Sequence, residues 1–365
     1  MRPTARLNAV GQSLWLDTIT RSLLDSGELG RIKRDLDVTG LTSNPTIFDK
    51  AVSGSQEYDA EIRALAAEGH DRERIFFRLA IADLVRAADL FRDVHRRSAG
   101  VDGWVSLEVS PTLAADTEGT VSQARALHAE ADRPNLFIKV PGTPEGLPAI
   151  ERLTAAGVPV NVTLLFSTAQ YLAAAEAWMR GLERRVKDGK PADVCSVASL
   201  FISRWDRATP NLPEGLRNRL GLAIGEATYA AYLDLISGER FLALAEKGAR
   251  PQRLLYASTG TKDPALSADA YVTGLASPNT VNTMPEETLR AFAKGGRLTR
   301  LVPPDGVAAR ETLARIAAAG VDLDALAAKL QKDGADAFVA SWNSLMSSID
   351  RKSASLAQAG AGAGA

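Results

Sequence analysis

Leu136-Phe137-Ile138-Lys139-Val140-Pro141-Gly142 is a run of strand-forming residues with a single charge inside it. Aromatic and β-branched side chains favour a strand, and Pro-Gly ends it. A run apolar on both faces suits a strand covered on both sides by other elements. Similar short runs recur at 14–18, 38–43, 104–109, 158–164, 194–201, 253–258 and 280–283. Together with 136–140 they predict eight strands, the last short and weakly marked. Helical patterns lie between them. The clearest is 167–187, where Leu172, Ala175, Met179 and Leu182 are expected on one face. Residues 73–97 and 216–247 also read as helices. Strands alternating with helices predict a parallel sheet. The intervals between Trp104, Leu136, Val158 and Val194 each hold one strand–helix unit. Eight such units favour an α/β fold of the closed (β/α)8, TIM-barrel type. An open doubly wound sheet would carry a Gly-rich first turn, whereas here that turn is Leu16-Asp17-Thr18-Ile19-Thr20. There is no internal repeat.

The whole chain, 1–365, is read as one barrel domain with its core at roughly 10–304. Residues 45–100 hold more helix than one crossover needs, so extra helices are expected there. Residues 305–355 are expected to form a helical C-terminal extension. Its apolar stripe of Phe338, Trp342, Leu345 and Met346 should pack on the barrel exterior. The Ala-Gly tail, 356–365, is of low complexity and is expected to be disordered.

With 45% hydrophobic and 24% charged residues, the composition supports a large soluble core. A formal net charge of −1 offers no global field for nucleic acid or an anionic membrane, so neither is expected as a partner. A local anion site remains compatible with it. Cys195 is the only cysteine, which excludes an internal disulfide or a thiolate metal cluster and fits a reducing compartment. Residues after Met1 contain no apolar run fit for a signal peptide or membrane helix, so a cytoplasmic location is expected. His70, His95 and His128 lack metal-ligand spacing and are expected at the surface. No metal site is expected, and a metal-dependent or His-based hydrolase is disfavoured.

Almost every expected strand carries a polar residue at or near its C-terminal end. These are Asp17, Asn44, Glu108, Lys139, Asn161 with Thr163, Ser199 with Arg204, Ser258 with Lys262, and Thr283. In a (β/α)8 barrel those ends converge on the face where active sites form. Lys139 is the most telling, because an ammonium in an apolar strand is costly without a purpose or a partner. The bland alternative is a lysine that reaches the surface or pairs with a carboxylate. A Schiff base needs a neutral amine, and an ordinary lysine is almost wholly charged at pH 7. Burial beside phosphate-binding cations favours release of that proton.

Glu108 and Asp17 are two carboxylates suited to divide the proton transfers around an iminium. Their structural alternatives are a salt bridge to Lys139 and the N-cap of a helix over 19–24. Asn44 precedes Pro45, first of all a turn signal. Asn161 and Thr163 share one face of their strand, where sugar hydroxyls or an ordered water would satisfy them. Ser258-Thr259-Gly260-Thr261-Lys262 combines hydroxyls, a glycine and a cation, as a phosphate requires, without being a Walker A loop. Arg204 offers a bidentate phosphate contact, or else pairs with Asp206.

In order, Gly40-Leu41-Thr42-Ser43-Asn44-Pro45, Val105-Ser106-Leu107-Glu108-Val109, Phe137-Ile138-Lys139-Val140-Pro141, Asn161-Val162-Thr163-Leu164-Leu165-Phe166-Ser167 and Val197-Ala198-Ser199-Leu200-Phe201-Ile202-Ser203-Arg204 resemble the transaldolases. Ala257-Ser258-Thr259-Gly260-Thr261-Lys262 and Thr280-Val281-Asn282-Thr283-Met284-Pro285 resemble their longer bacterial, actinobacterial-type branch. The likeness runs over residues 14–345, and the ordered combination is far more specific than any piece. It implies a cofactor-free barrel enzyme acting on sugar phosphates in the non-oxidative pentose phosphate pathway. By that resemblance Lys139 forms the Schiff base with sedoheptulose 7-phosphate or fructose 6-phosphate. Glu108 is acid and base through a water held with Thr163, and Asp17 takes the C4 hydroxyl proton. Asn44, Asn161 and Ser199 hold hydroxyls, while Arg204 and Ser258 bind phosphate. Many transaldolases carry an arginine soon after the serine of strand seven. Here Gly260 follows it, and Lys262 is read as the substitute, with different geometry.

The nearest rival is a fructose 6-phosphate aldolase, which releases free dihydroxyacetone. In those relatives the positions of Glu108 and Phe201 look like Gln and Tyr, so Glu and Phe here, with Phe201 beside the substrate, favour transfer, as do the extra helices. A non-catalytic sugar-phosphate-binding barrel would have lost the lysine or the carboxylates. A transketolase-like enzyme would need a much larger chain and a diphosphate–metal site. The sequence leaves homo-oligomerisation open.

Overall fold

The strand-forming runs become β1 (Gln12–Leu16), β2 (Gly40–Leu41), β3 (Val105–Glu108), β4 (Leu136–Pro141), β5 (Val160–Leu165), β6 (Ser196–Phe201), β7 (Arg253–Ala257) and β8 (Thr280–Met284). The computed structural model describes the backbone of residues 1–362 and the side chains of residues 1–358. All neighbouring strands are parallel, in sequence order. β1 pairs with β8 from Gln12↔Thr280 to Leu16↔Met284, so the sheet closes into a (β/α)8 barrel. Every strand residue is buried, because helices cover the outside and side chains fill the inside.

The N-terminal end of the barrel is tied by a polar cluster. Asp102 accepts from Trp15 Nε1 at 2.7 Å and also from the Ser13 hydroxyl. Arg253 Nη2 donates to Thr280 O at 2.6 Å and to Ser13 Oγ at 2.8 Å. β1, β7, β8 and the approach to β3 are thereby joined. His95, expected at the surface, is half-buried against this cluster, with its ring edge-on to Trp104 at 4.7 Å. Burial pushes its pKa down.

Helix starts follow local side-chain chemistry. Ser167 and Gln170 form a capping box ahead of the helix Thr168–Lys187, and Asp71 caps Arg72–Arg97. The buried face of Thr168–Lys187 includes Tyr171, Ala175, Trp178, Met179 and Leu182, whereas Leu172 is turned outward. The helix expected over 216–247 begins later and splits into Leu220–Ser237 and Glu239–Ala245, because Gly238 is extended. Between β2 and β3 lie three helices, Pro45–Gly54, Asp59–Ala67 and Arg72–Arg97, in the region expected to hold extra ones.

The C-terminal extension contains Val307–Ala318 and a long helix, Leu323–Gly362. Helix therefore runs through residues 356–362, part of the segment expected to be disordered, since alanine-rich sequence sustains a helix despite its glycines. Residues 363–365 lie outside the described residues. The apolar stripe divides: Trp342 lies against a helix that covers β3 on the barrel exterior, and only Phe338 leaves that face. Trp342 meets Phe76 at 5.1 Å and Phe77 at 5.7 Å on the helix Arg72–Arg97, and Phe338 turns into the barrel mouth. Among the described residues no helix is long and apolar enough to cross a membrane.

β2 is shorter than the run at 38–43 suggested, and its Gly40 lies close against Trp15 and the Trp104 backbone. A Cβ on Gly40 would lie 2.6 Å from Trp104 O and 2.8 Å from Trp15 Nε1. Gly40→Ala should therefore lower the unfolding free energy by about 1–3 kcal/mol, read as an earlier urea midpoint. An unchanged midpoint would show that β2 yields without cost.

Candidate active site

At the C-terminal strand ends a cavity of about 330 Å³ opens, and nine of the eleven expected site residues line it: Asp17, Asn44, Lys139, Thr163, Ser199, Phe201, Arg204, Ser258 and Lys262. Glu108 and Asn161 lie behind its wall. Parallel pairing sets Glu108 beside Lys139 and Lys139 beside Asn161. Neighbouring strands thus deliver one carboxylate, one amine and one amide to the same level of the barrel.

Lys139 is 5% exposed. Its Nζ donates to Ser43 O at 3.2 Å and lies 3.2 Å from Glu108 Oε2. The latter is an ion-pair contact whose alignment is not that of a hydrogen bond, so Glu108 Oε2 keeps unused accepting capacity. Thr163 Oγ1 is likewise buried without a partner. Asp17 does not cap the following helix, since Thr20 does. Instead Asp17 Oδ1 accepts from Thr42 Oγ1 at 2.7 Å, and Thr42 Oγ1 lies 2.7 Å from Thr283 Oγ1.

Burial is the largest influence on both carboxyls. It pushes Asp17 up, against the pull of Lys139 and the Thr42 hydrogen bond. It pushes Glu108 up against Lys139, and repulsion from Asp17 adds to the rise. One ammonium cannot fully compensate two buried carboxylates, so the group readily holds an extra proton.

Asn161 does not face the cavity. Its Nδ2 donates to Ser106 Oγ at 3.1 Å and its Oδ1 accepts from Ser199 Oγ at 2.7 Å, so both amide ends are engaged inside the barrel. Asn44 caps the helix Pro45–Gly54 through Oδ1, which accepts from Ile47 N at 3.1 Å. Arg204 does not pair with Asp206, whose carboxylate accepts from Leu220 N, Gly221 N and the Tyr271 hydroxyl. The Arg204 guanidinium lies over Phe201 at 5.0 Å and over Phe166 and Phe338 at 6.0 Å, an aromatic cradle that fixes a cation at the mouth. Desolvation pushes its pKa down.

Sequence reading missed Lys50, Arg207 and Phe338, which also line the cavity. Lys50 sits on the helix that Asn44 caps, and Arg207 follows Arg204 by three residues on Ser203–Ala208. Both cations had a local helical signal. Phe338 reaches within 5.7 Å of Lys139 Nζ from the far end of the chain, and nothing local announces it. Gln331, on the same long helix, donates to Gly142 O at 3.0 Å and to Leu164 O at 2.9 Å, joining the ends of β4 and β5. A bulge between Val162 and Leu165 places Leu164 at φ +61, a strained conformation for leucine, directly after Thr163.

Residues 14–349 match the family model described as Transaldolase/Fructose-6-phosphate aldolase. A protein of Parafrankia sp. named transaldolase is 44% identical over 363 residues, covering 95% of this chain and 97% of its own. Proteins of the same name from Saccharopolyspora erythraea and Thiobacillus denitrificans are each 44% identical, covering 94% and 96% of this chain and 95% and 100% of their own.

Gln331→Leu leaves two carbonyls without their donor and frees the strained strand end. It should lower kcat by roughly 10- to 100-fold with KM nearly unchanged, because Thr163 and Lys139 lose their relative placement. Steady-state kinetics that show wild-type kcat would deny the helix this positioning role.

Proposed function

The chain belongs to the transaldolase/fructose-6-phosphate aldolase family, and from that premise we propose that it carries a dihydroxyacetone unit from sedoheptulose 7-phosphate to glyceraldehyde 3-phosphate as a Lys139 Schiff base. It is an enzyme of the transferase class, with the transaldolase activity of its relatives. The products are erythrose 4-phosphate and fructose 6-phosphate. Its proposed setting is the cytoplasm, in the non-oxidative pentose phosphate pathway. The observation that carries the mechanism is a buried lysine held between two buried carboxyls beneath a rim of cations.

Lys139 Nζ passes a proton to the adjacent Glu108 carboxylate, attacks the ketose carbonyl carbon and forms a carbinolamine. Glu108, through a water shared with Thr163, protonates the departing hydroxyl, and loss of water leaves the iminium. Unused accepting capacity on Glu108 Oε2 and Thr163 Oγ1 supports that pairing. Asp17 then takes the proton from the C4 hydroxyl. The C3–C4 bond breaks, its electrons pass into the iminium to give an enamine, and the aldose leaves. A raised carboxyl is a better base near neutral pH than an ordinary one. Thr42 and Thr283 hold Asp17 in place.

The acceptor aldehyde reverses these steps, and water finally hydrolyses the new iminium. Arg204, Ser258 and Lys262 bind phosphate, joined by Lys50 and Arg207 at the same rim. Lys262 substitutes for the arginine common in relatives, as a point charge rather than a fork. Asn44 and Ser199 hold donor hydroxyls, with Asn161 orienting Ser199 from behind. Phe201 and Phe338 keep the amine dry.

The family model also names the aldolase reaction, so acceptor dependence discriminates. Purified protein given fructose 6-phosphate should sustain glyceraldehyde 3-phosphate release only when erythrose 4-phosphate is present. Equal release without it would make the activity that of an aldolase. Glu108→Gln should slow transfer by roughly 100-fold or more, and transfer at the wild-type rate would remove Glu108 from its role.

A further inference from the structure

A second cavity, of about 260 Å³, lies at the N-terminal end of the barrel and shares no lining residue with the first. Trp104 and Phe137, stacked with centroids 3.9 Å apart, form one wall. Cys195, Val197 and Pro251 continue it, and Val101 stands at its rim, 45% exposed. Arg250 and Arg253 also line the cavity, and none of its lining residues is acidic.

Arg253 is only 7% exposed. Its Nη1 donates to Val101 O, and its Nη2 donates to Ser13 Oγ and Thr280 O. Its Nε has no partner. Arg250 donates to Ala99 O. Both guanidinium groups therefore direct their hydrogen bonds at neutral acceptors. The nearby Asp102 already accepts from Ser13, Trp15 and Gly103 N. Asp102 attracts Arg253 through space and through the shared Ser13, but no carboxylate bonds to either guanidinium, and one entering the cavity is the group that completes them. The aromatic wall supplies the remaining surface, and it suits a flat ring. The volume falls below the ~300–1,000 Å³ of pockets for drug-sized ligands, which limits the occupant to one or two rings.

We propose that this cavity is a binding site for a small aromatic monocarboxylate, with its ring against Trp104 and Phe137 and its carboxylate on Arg253 and Arg250. Benzoate is the probe, and benzyl alcohol is its neutral counterpart. Cys195, the only cysteine, lines the cavity and reports occupancy through its rate of alkylation by iodoacetamide. Full-length protein without additions gives the baseline rate, and inorganic phosphate is then present in the benzoate and benzyl alcohol arms to occupy the catalytic cations.

Benzoate at ten times its Kd should slow alkylation roughly tenfold by mass action. Benzyl alcohol at equal concentration should protect far less, and phosphate alone should not protect. Arg250→Gln, at a half-buried rim position, should weaken benzoate roughly tenfold. An alkylation rate indifferent to benzoate would overturn the proposal. So would equal protection by benzyl alcohol, which would make the cavity merely apolar, or protection by phosphate alone, which would make it a plain anion site. These three arms use the wild-type protein and decide the matter even if the Arg250 variant fails to fold.

Discussion

An ammonium inside a barrel mouth, Lys139 between Glu108 and Asp17, is the constraint around which the rest is arranged. Such a group is costly in an apolar strand unless it is partnered. Parallel pairing solves this by register, setting Glu108 of β3 directly beside Lys139 of β4. Both carboxyls are raised, so the folded protein binds their protons more tightly than the unfolded chain. The stability from that proton binding is present at low pH and is lost as pH rises through the raised values. Above those values the ionised carboxylates weigh against the fold. That is the expected trade between stability and a reactive site.

The C-terminal helix then forms one side of the mouth. Gln331 ties the ends of β4 and β5 and holds the strained Leu164, while Phe338 covers the amine. Between them, a Cβ on Gly334 would lie 3.0 Å from Arg204 Nη1 and 3.0 Å from Leu164 Cδ2, so glycine lets the helix settle on both. Trp342, Leu345 and Met346 fasten the same helix, with Trp342 against Phe76 and Phe77. Fold stability and site geometry are thus coupled through one element that the barrel itself does not need.

Residues whose place follows from strand alternation were legible. Lys139, Glu108 and Thr163 sit at strand ends, and a period of two sends them inward. Asp17 was legible as a candidate, but its alternative as a helix cap was settled only by Thr20 taking that position. The side Asn161 presents was also foreseeable, yet not its engagement with Ser106 and Ser199, which depends on three strands at once. The bulge at Leu164 hid within an ordinary alternating pattern. Phe338 and Gln331 carried only a helical signal, because their contacts arise from a helix packing across a mouth that other segments build. The second cavity was invisible for the same reason: Trp104, Cys195 and Arg253 meet only once the barrel is closed.

In the proposed mechanism Lys139 Nζ is the atom that bonds to the sugar. Sodium borohydride added during turnover of fructose 6-phosphate reduces an iminium to a permanent adduct, which peptide mass mapping then locates. A reduced three-carbon adduct is expected on Lys139 and on no other lysine. An adduct on Lys50 or Lys262, or an unmodified Lys139 in protein that is turning over, would contradict it.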